Sequence, residues 1–187
     1  MPQQRSYPRG VSNVTASKNA PKKIVLTWDS VMFDDFSHYK IYRTSSKILP
    51  YRNIAKTDKN VFEDLVNKNG EQMYYKITVV DKDGLESLKP DEPTIGSTLS
   101  SPEAPVLSQA RFDGSSVYLS WNATNRAVSY TILRSGGEGK KTINGISDTS
   151  YIDSSIKIGE KYSYKVVGVD EYGISSEHSN EVDVSTK

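Results

Sequence analysis

The chain contains two copies of one sequence unit, and this duplication limits its possible folds more than any other feature. Residues 11–28 align with residues 104–121, and residues 70–87 align with residues 159–176 without a gap. Chance does not easily produce such an alignment, so each copy is expected to form one structural unit. A chain of 187 residues is long enough for two modest domains of this kind.

Each copy begins with a segment in which apolar and polar residues alternate. Ile24, Leu26 and Trp28 occupy every second position, so they share one face of an extended strand. The corresponding residues of the second copy are Val117, Leu119 and Trp121. Tyr39 and Tyr130 hold matching positions in the next alternating segment. The period of two predicts strands, with both tryptophans and both tyrosines in the cores.

Turn residues separate these segments at the spacing of a β-sandwich. Residues 81–84 and 170–173 both run from aspartate to glycine, which predicts tight turns flanked by strands. Residues 134–141 combine glycine and lysine, and we expect a flexible connection between strands there. The sequence thus predicts an all-β protein of two antiparallel sandwiches.

Prolines mark the connection between the two copies. The segment TLSSPEAP, residues 98–105, contains two prolines, which fix φ and remove backbone donors. We expect this connection to be short and stiff, with the two domains placed end to end. The predicted parts are linker or added residues over 1–7, a domain over 8–99, a linker over 100–104 and a domain over 105–187.

Composition and charge argue against several classes of function. The 24 basic and 23 acidic side chains give a formal net charge of +1, which offers no footprint for nucleic acid, and no apolar run approaches a membrane span. Cysteine is absent, which excludes disulfides and thiolate metal sites. The two histidines, His38 and His178, lie in non-equivalent places and are expected to be exposed loop residues. We predict no catalytic residue, no metal site, no cofactor and no enzymatic activity.

The strand tryptophan, the "Y-x-I" of the next strand and the late "Y-x-Y-K-V…V-D-x-x-G" pattern resemble fibronectin type III domains over nearly all of residues 8–187, twice. The resemblance implies immunoglobulin-like sandwiches. It also implies a tyrosine corner at Tyr162, whose hydroxyl would bond to backbone a few residues upstream. The first copy has Met73 at that position, so we expect packing of Leu65 or Val66 to close its corner.

The segment FDDFSHYKIYR, residues 33–43, resembles more specifically the repeats of surface lipoproteins from epsilon-class proteobacteria, of the fibronectin-like protein A type of adhesin. This resemblance implies a lipid-anchored outer-membrane protein at the cell surface, with the anchor outside this chain and at least one further repeat before it. It also implies that the protein binds host fibronectin. The preferred function is therefore a non-catalytic binding module of a bacterial adhesin.

Four apolar side chains stand in the loop of residues 29–38, where polar residues are expected. They are Val31, Met32, Phe33 and Phe36. Burying a phenylalanine is worth roughly 1.5 to 3 kcal/mol, so full exposure of both rings would be costly. Three alternatives stay open: the loop plugs the end of the core, it meets a preceding fibronectin type III repeat, or it binds an external partner.

The third alternative makes these four side chains partner-binding candidates, with Lys40 and Arg43 as a polar rim. Against the adhesin stands a second class of protein, in which the two domains are spacer modules of a secreted polysaccharide-degrading enzyme. Endings like residues 179–186 are also found there. A receptor ectodomain is a third and less favoured interpretation.

Overall fold

The computed structural model describes residues 6–187, which divide into two compact units after Ser100. The strands of the first unit are β1 (Thr15–Ala16), β2 (Lys23–Thr27), β3 (Phe36–Thr44), β4 (Arg52–Thr57), β5 (Val61–Leu65), β6 (Gln72–Asp81) and β7 (Thr94–Ser97). Those of the second are β8 (Leu107–Phe112), β9 (Val117–Trp121), β10 (Ser129–Gly136), β11 (Gly139–Ile146), β12 (Ser150–Asp153), β13 (Lys161–Val169) and β14 (Val182–Ser185).

Both units have the same sheet topology. In the first unit one sheet has the order β1-β2-β5 and the other the order β4-β3-β6-β7, and in the second unit the equivalent orders are β8-β9-β12 and β11-β10-β13-β14. Neighbouring strands are antiparallel throughout. This is the seven-strand arrangement of a fibronectin type III sandwich. The predicted fold class, an all-β tandem of two such sandwiches, is confirmed.

The inward faces of the two sheets form one apolar core in each unit. In the first unit the core combines Ile24 and Leu26 of β2 with Ile41 of β3 and Ile77 of β6. The residues predicted as structural core are all nearly inaccessible to solvent; they are Trp28, Tyr39, Trp121, Tyr130 and Tyr162. Each tryptophan ring meets the tyrosine of the next strand at 5.2 Å in the first unit and 5.5 Å in the second. Such edge contacts add to the large area that each ring buries.

The two units close the corner before their sixth strands in different ways. In the second unit the Tyr162 hydroxyl accepts a hydrogen bond of 2.8 Å from the Lys157 backbone N–H. In the first unit Met73 occupies this position, and Val66 packs against the core. The expectation for Leu65 is wrong, because Asp64 points inward and the alternation of β5 leaves Leu65 65% exposed.

The aspartate-to-glycine turns form, but the strand expected after each turn does not. Gly84 donates to the Asp81 carbonyl at 3.1 Å, and the chain then makes only one isolated bridge before β7. Serine hydroxyls take the place of a strand partner along β6 and β13, since they accept the backbone N–H groups of Val79, Val166 and Gly168. These side-chain bonds satisfy buried donors that a ladder would otherwise serve.

The segment 134–141 is a tight hairpin, which corrects the prediction of a flexible connection. β10 ends at Gly136 and β11 begins at Gly139. Gly136 has φ of 105°, and a Cβ added there would lie 2.2 Å from the Lys161 carbonyl oxygen. The close approach of β13 therefore requires glycine at this position.

Candidate functional site at the loop between β2 and β3

The apolar loop between β2 and β3 lies at one end of the first unit and borders a groove of about 630 Å³. The groove is lined by the N-terminal segment, the loop and the end of β6. Its lining residues include Tyr7, Arg9, Met32, Phe33, Asp35 and Asp81. We call this site the loop groove. Its volume is typical of small-molecule sites, which span roughly 300 to 1,000 Å³.

The structure places the four apolar candidates of this loop at two depths. Val31 and Phe36 are half-buried and pack against the core, as a plug would. Met32 is 94% exposed and Phe33 is 38% exposed. The loop therefore seals the sandwich with one pair of side chains and presents the other pair to solvent.

A series of aromatic contacts supports the exposed ring of Phe33. Its centroid lies 6.1 Å from that of Phe36, which lies 4.8 Å from Tyr39, whose ring meets Trp28 in the core. The Tyr39 hydroxyl accepts a hydrogen bond of 2.9 Å from the Val31 N–H. These contacts connect the exposed side chain to the buried core of the domain.

Hydrogen bonds to neighbouring segments fix the loop backbone as well. Lys82, in the turn after β6, donates from its backbone N–H to the Asp35 carbonyl at 2.8 Å and from Nζ to the Asp34 carbonyl at 2.6 Å. On the other side, the Asp29 N–H donates to the Ser12 carbonyl at 3.0 Å. The loop is held at both ends, so it is pre-organised for contact with a ligand.

Polar groups and an additional aromatic ring border the exposed apolar residues. Tyr7 is 63% exposed on the N-terminal segment, close to Arg9. The Asp81 carboxylate accepts a hydrogen bond from the Leu85 N–H at 2.7 Å, and the Asp35 side chain is exposed. The loop groove thus offers aromatic surface together with carboxylate acceptors and guanidinium donors.

Lys40 and Arg43 do not form the polar rim that was expected. Lys40 Nζ donates to a Glu86 carboxylate oxygen at 2.6 Å, and Arg43 donates to the Asp64 carboxylate at 2.8 Å. Neither residue lines the loop groove. At about 3.3 Å per strand residue, Arg43 lies roughly 23 Å along β3 from Phe36. Strand geometry therefore separates both cations from the loop.

Glu86 collects three donors on the outer face of the first unit, a cluster that sequence reasoning missed. They are Lys40 Nζ, the Tyr42 hydroxyl and the Thr78 hydroxyl, at 2.6, 2.5 and 2.7 Å. Burial opposes ionisation of Glu86, but these hydrogen bonds outweigh it and lower its pKa to about 2. Burial and the bond to Glu86 raise the pKa of Tyr42 to about 12. The aligned positions of the second unit carry Thr131, Leu133, Val167 and Ser175, so the cluster is specific to the first unit.

A buried arginine–aspartate–tyrosine cluster occurs in both units. Asp153 accepts hydrogen bonds from Arg134 at 2.8 Å and from the Tyr164 hydroxyl at 3.0 Å. The equivalent residues of the first unit are Arg43, Asp64 and Tyr75. Burial disfavours the charged form of Asp153, yet bonds from Ser155, Arg134 and Tyr164 hold its pKa below the ordinary value. The matching arginines and aspartates of the two copies are the signal that could have predicted it.

His38 lies within β3, which corrects its placement in a loop, and its imidazole is half-buried. Burial, followed by the charges of Lys56 and Lys40, lowers its pKa. His178 is exposed in the second unit. Residues 6–187 contain no group of three or more histidine, cysteine or acidic side chains placed to hold a metal ion. Over the same residues no helix has the length and apolarity to cross a bilayer.

Sequence comparison finds that the chain is similar to short segments of amylopullulanases and of a depolymerase. It is 36% identical over 91 residues to the amylopullulanase of Thermoanaerobacter thermohydrosulfuricus and 31% identical over 131 residues to that of Thermoanaerobacterium saccharolyticum. These alignments cover 47% and 65% of this chain but only 6% and 10% of the enzymes. A poly(3-hydroxybutyrate) depolymerase from Ralstonia pickettii is 39% identical over 72 residues, which are 38% of this chain and 14% of that protein. No protein-family model matches the chain.

Structural comparison finds tandem fibronectin type III segments. The FN1–FN3 domains of chicken CNTN1 align over 97% of this chain and 65% of theirs, with a TM-score of 0.44 and 13% identity. A two-domain segment of chicken tenascin aligns over 95% of this chain and all of its own, with a TM-score of 0.43 and 16% identity. The fold assignment rests on strand order and register: the chain is a pair of sandwiches with fibronectin type III topology.

Proposed function

We propose that the chain is a pair of non-catalytic accessory modules within a secreted polysaccharide-degrading enzyme. The observation that carries this proposal is the identity of 31 to 36% to short segments of two amylopullulanases. A segment that matches a tenth or less of such an enzyme is more consistent with an attached module than with the catalytic apparatus. The depolymerase similarity fits the same pattern, since that enzyme also acts on a polymer by name.

The structure suits a modular role. Each unit has its own apolar core and its own buried ion pair, formed by Asp64 in the first unit and Asp153 in the second. A domain that contains its own core can be joined to others through exposed linkers without losing its fold. The charged residues with the largest number of partners, Glu86 among them, are engaged in structural hydrogen bonds.

The complete coding sequence around these residues tests the proposal. We expect it to encode a glycoside hydrolase domain on the same polypeptide, and we expect the purified 187-residue chain alone to release no reducing sugar from pullulan or amylopectin. A polypeptide made only of such repeats behind a lipoprotein leader would contradict the proposal and support the adhesin.

The adhesin hypothesis, with host fibronectin as partner and an outer-membrane lipoprotein as carrier, still follows from the resemblance of residues 33–43. The exposure of Met32 and Phe33 is the structural observation that favours it. The test is a solid-phase assay of this chain on immobilised fibronectin. Saturable binding that is lost when both residues are replaced by serine would establish the adhesin; the accessory-module proposal predicts no saturable binding.

A further inference from the structure

We propose that the loop groove of the first unit binds a neutral oligosaccharide chain, so that one of the two modules holds the polymer substrate. This inference rests on the proposed function for the identity of the polymer. The chemistry of the groove supports it independently. Three properties carry it: exposed aromatic surface, hydrogen-bond acceptors and a rigid framework.

The aromatic surface fits the apolar faces of sugar rings. A pyranose presents C–H groups on its two faces and hydroxyl groups around its edge. Tyr7 and Phe33 offer ring surface at the groove, and Met32 beside them is almost fully exposed. Aromatic side chains combine large contact area with little conformational freedom to lose. Stacking of a sugar on Phe33 would bury the ring surface that the fold leaves in water.

The polar groups of the groove select a ligand that carries hydrogen-bond donors but no negative charge. The carboxylates of Asp35 and Asp81 are acceptors only, so they match hydroxyl groups and repel anions. Arg9 adds donors for the ring and hydroxyl oxygens. A polyester such as poly(3-hydroxybutyrate) has acceptors but no donors along its chain, so it would offer neither carboxylate a hydrogen bond. This distinguishes the two polymer types on which the related enzymes act by name.

The loop of the first unit is held in place by packing and hydrogen bonds, and it differs from the loop of the second unit. The stacked contacts from Phe33 to Tyr39 and the hydrogen bonds of Lys82 hold the loop in place before any ligand arrives. Such pre-organisation reduces the entropy lost on binding. The corresponding loop of the second unit, residues 122–129, contains no aromatic residue. The groove is therefore assigned to the first unit alone.

Titration of the isotopically labelled 187-residue chain with maltoheptaose, followed by backbone amide NMR, tests this inference. We expect saturable shifts at residues 7–10 and 31–36 and none in residues 122–129. Phe33→Ala should weaken binding roughly tenfold or more, the factor that corresponds to loss of one buried ring face. Tyr172→Ala is the matched control, because it removes an exposed aromatic ring of the second unit and should leave the affinity unchanged.

Three results would overturn the inference. One is the absence of saturable shifts with maltoheptaose up to about 10 mM, a concentration at which weak specific binding registers. A second is equal affinity of the wild type and the Phe33→Ala variant, provided that the variant shows the amide spectrum of the folded domain. The third is an equal response to a trimer of 3-hydroxybutyrate whose hydroxyl end is acetylated and whose carboxyl end is methyl-esterified, because this probe carries acceptors but no donor and no charge. Each of these leaves the accessory-module proposal intact, since that proposal depends on the attached catalytic domain.

Discussion

At the scale of single residues, the fully buried carboxylate of Asp153 is the most informative side chain of the second unit. It has no solvent exposure, and its charge is matched by one guanidinium and two hydroxyl groups, from Arg134, Tyr164 and Ser155. Removing one partner of a buried pair is costly because the other charge stays buried without compensation. Arg43 and Tyr75 bind Asp64 in the first unit, so the arginine–aspartate–tyrosine cluster is a property of the repeat.

Replacement of Asp153 by alanine should destabilise the second unit by about 3 to 5 kcal/mol, because the largely buried Arg134 side chain loses its compensating charge and Tyr164 loses its acceptor. The measurement is urea unfolding of the whole chain, followed by the fluorescence of Trp121 in a Trp28→Phe background. Asp148→Ala is the control, since Asp148 is an exposed aspartate of the same unit. A loss below about 1 kcal/mol for Asp153→Ala would contradict a stabilising role for the cluster.

Glu86 makes the stability of the first unit decrease at acidic pH. Its pKa in the folded state is lowered from 4.5 to about 2. A carboxylate with a lowered pKa contributes its full stabilisation above its unfolded pKa, and that contribution is lost as the pH falls toward the folded value. The free energy of unfolding of the first unit should therefore decrease between about pH 4.5 and pH 2, and Glu86→Gln should reduce this slope. An unchanged slope in the variant would show that other groups control the acid response.

At the scale of elements, the hairpin of β10 and β11 shows how close packing restricts sequence. Gly136 and Gly114 have almost the same φ, 105° and 104°, but only Gly136 faces backbone atoms. In the first unit, where Met73 replaces the corner tyrosine, the corresponding region is more open, and a groove of about 370 Å³ lies beside Met73. The corner tyrosine and the glycine hairpin are thus parts of one packed arrangement in the second unit.

Alanine substitution at the two glycines separates backbone strain from steric overlap. Both variants should lose about 1 to 3 kcal/mol of stability from positive φ. Gly136→Ala should lose more, because its Cβ would overlap the Lys161 carbonyl, whereas nothing lies within 4 Å of the Cβ of Gly114→Ala. Urea unfolding detected by Trp121 measures both. Equal losses would mean that the hairpin relaxes to accept the methyl group.

At the scale of the whole molecule, duplication explains which features could be predicted from the sequence. Alternation around Trp28 and Trp121 appears twice, so strand faces and cores were predictable from period alone. Glu86 follows the turn after β6 and takes its partners from two strands, β3 and β6, which no local pattern brings together.

The burial of each residue in the apolar loop could not be predicted from the sequence either. It depends on whether a side chain reaches the core or the groove, and only the packing in three dimensions distinguishes Val31 and Phe36 from Met32 and Phe33. The partners of Lys40 and Arg43, Glu86 and Asp64, are also distant in sequence, so position along the chain alone misplaces both cations at the rim of the loop. Sequence periodicity thus predicts the strands, whereas contacts between residues distant in sequence determine which side chains are exposed.

The most direct test of the accessory role is a comparison of the parent polypeptide with a variant that lacks these two units. Rates of hydrolysis of a short soluble maltooligosaccharide should agree within about twofold, while the rate on a long polymer should fall in the deletion variant. An equal and large loss on both substrates would show that the pair contributes to catalysis itself, and a parent polypeptide that hydrolyses neither substrate would contradict the account.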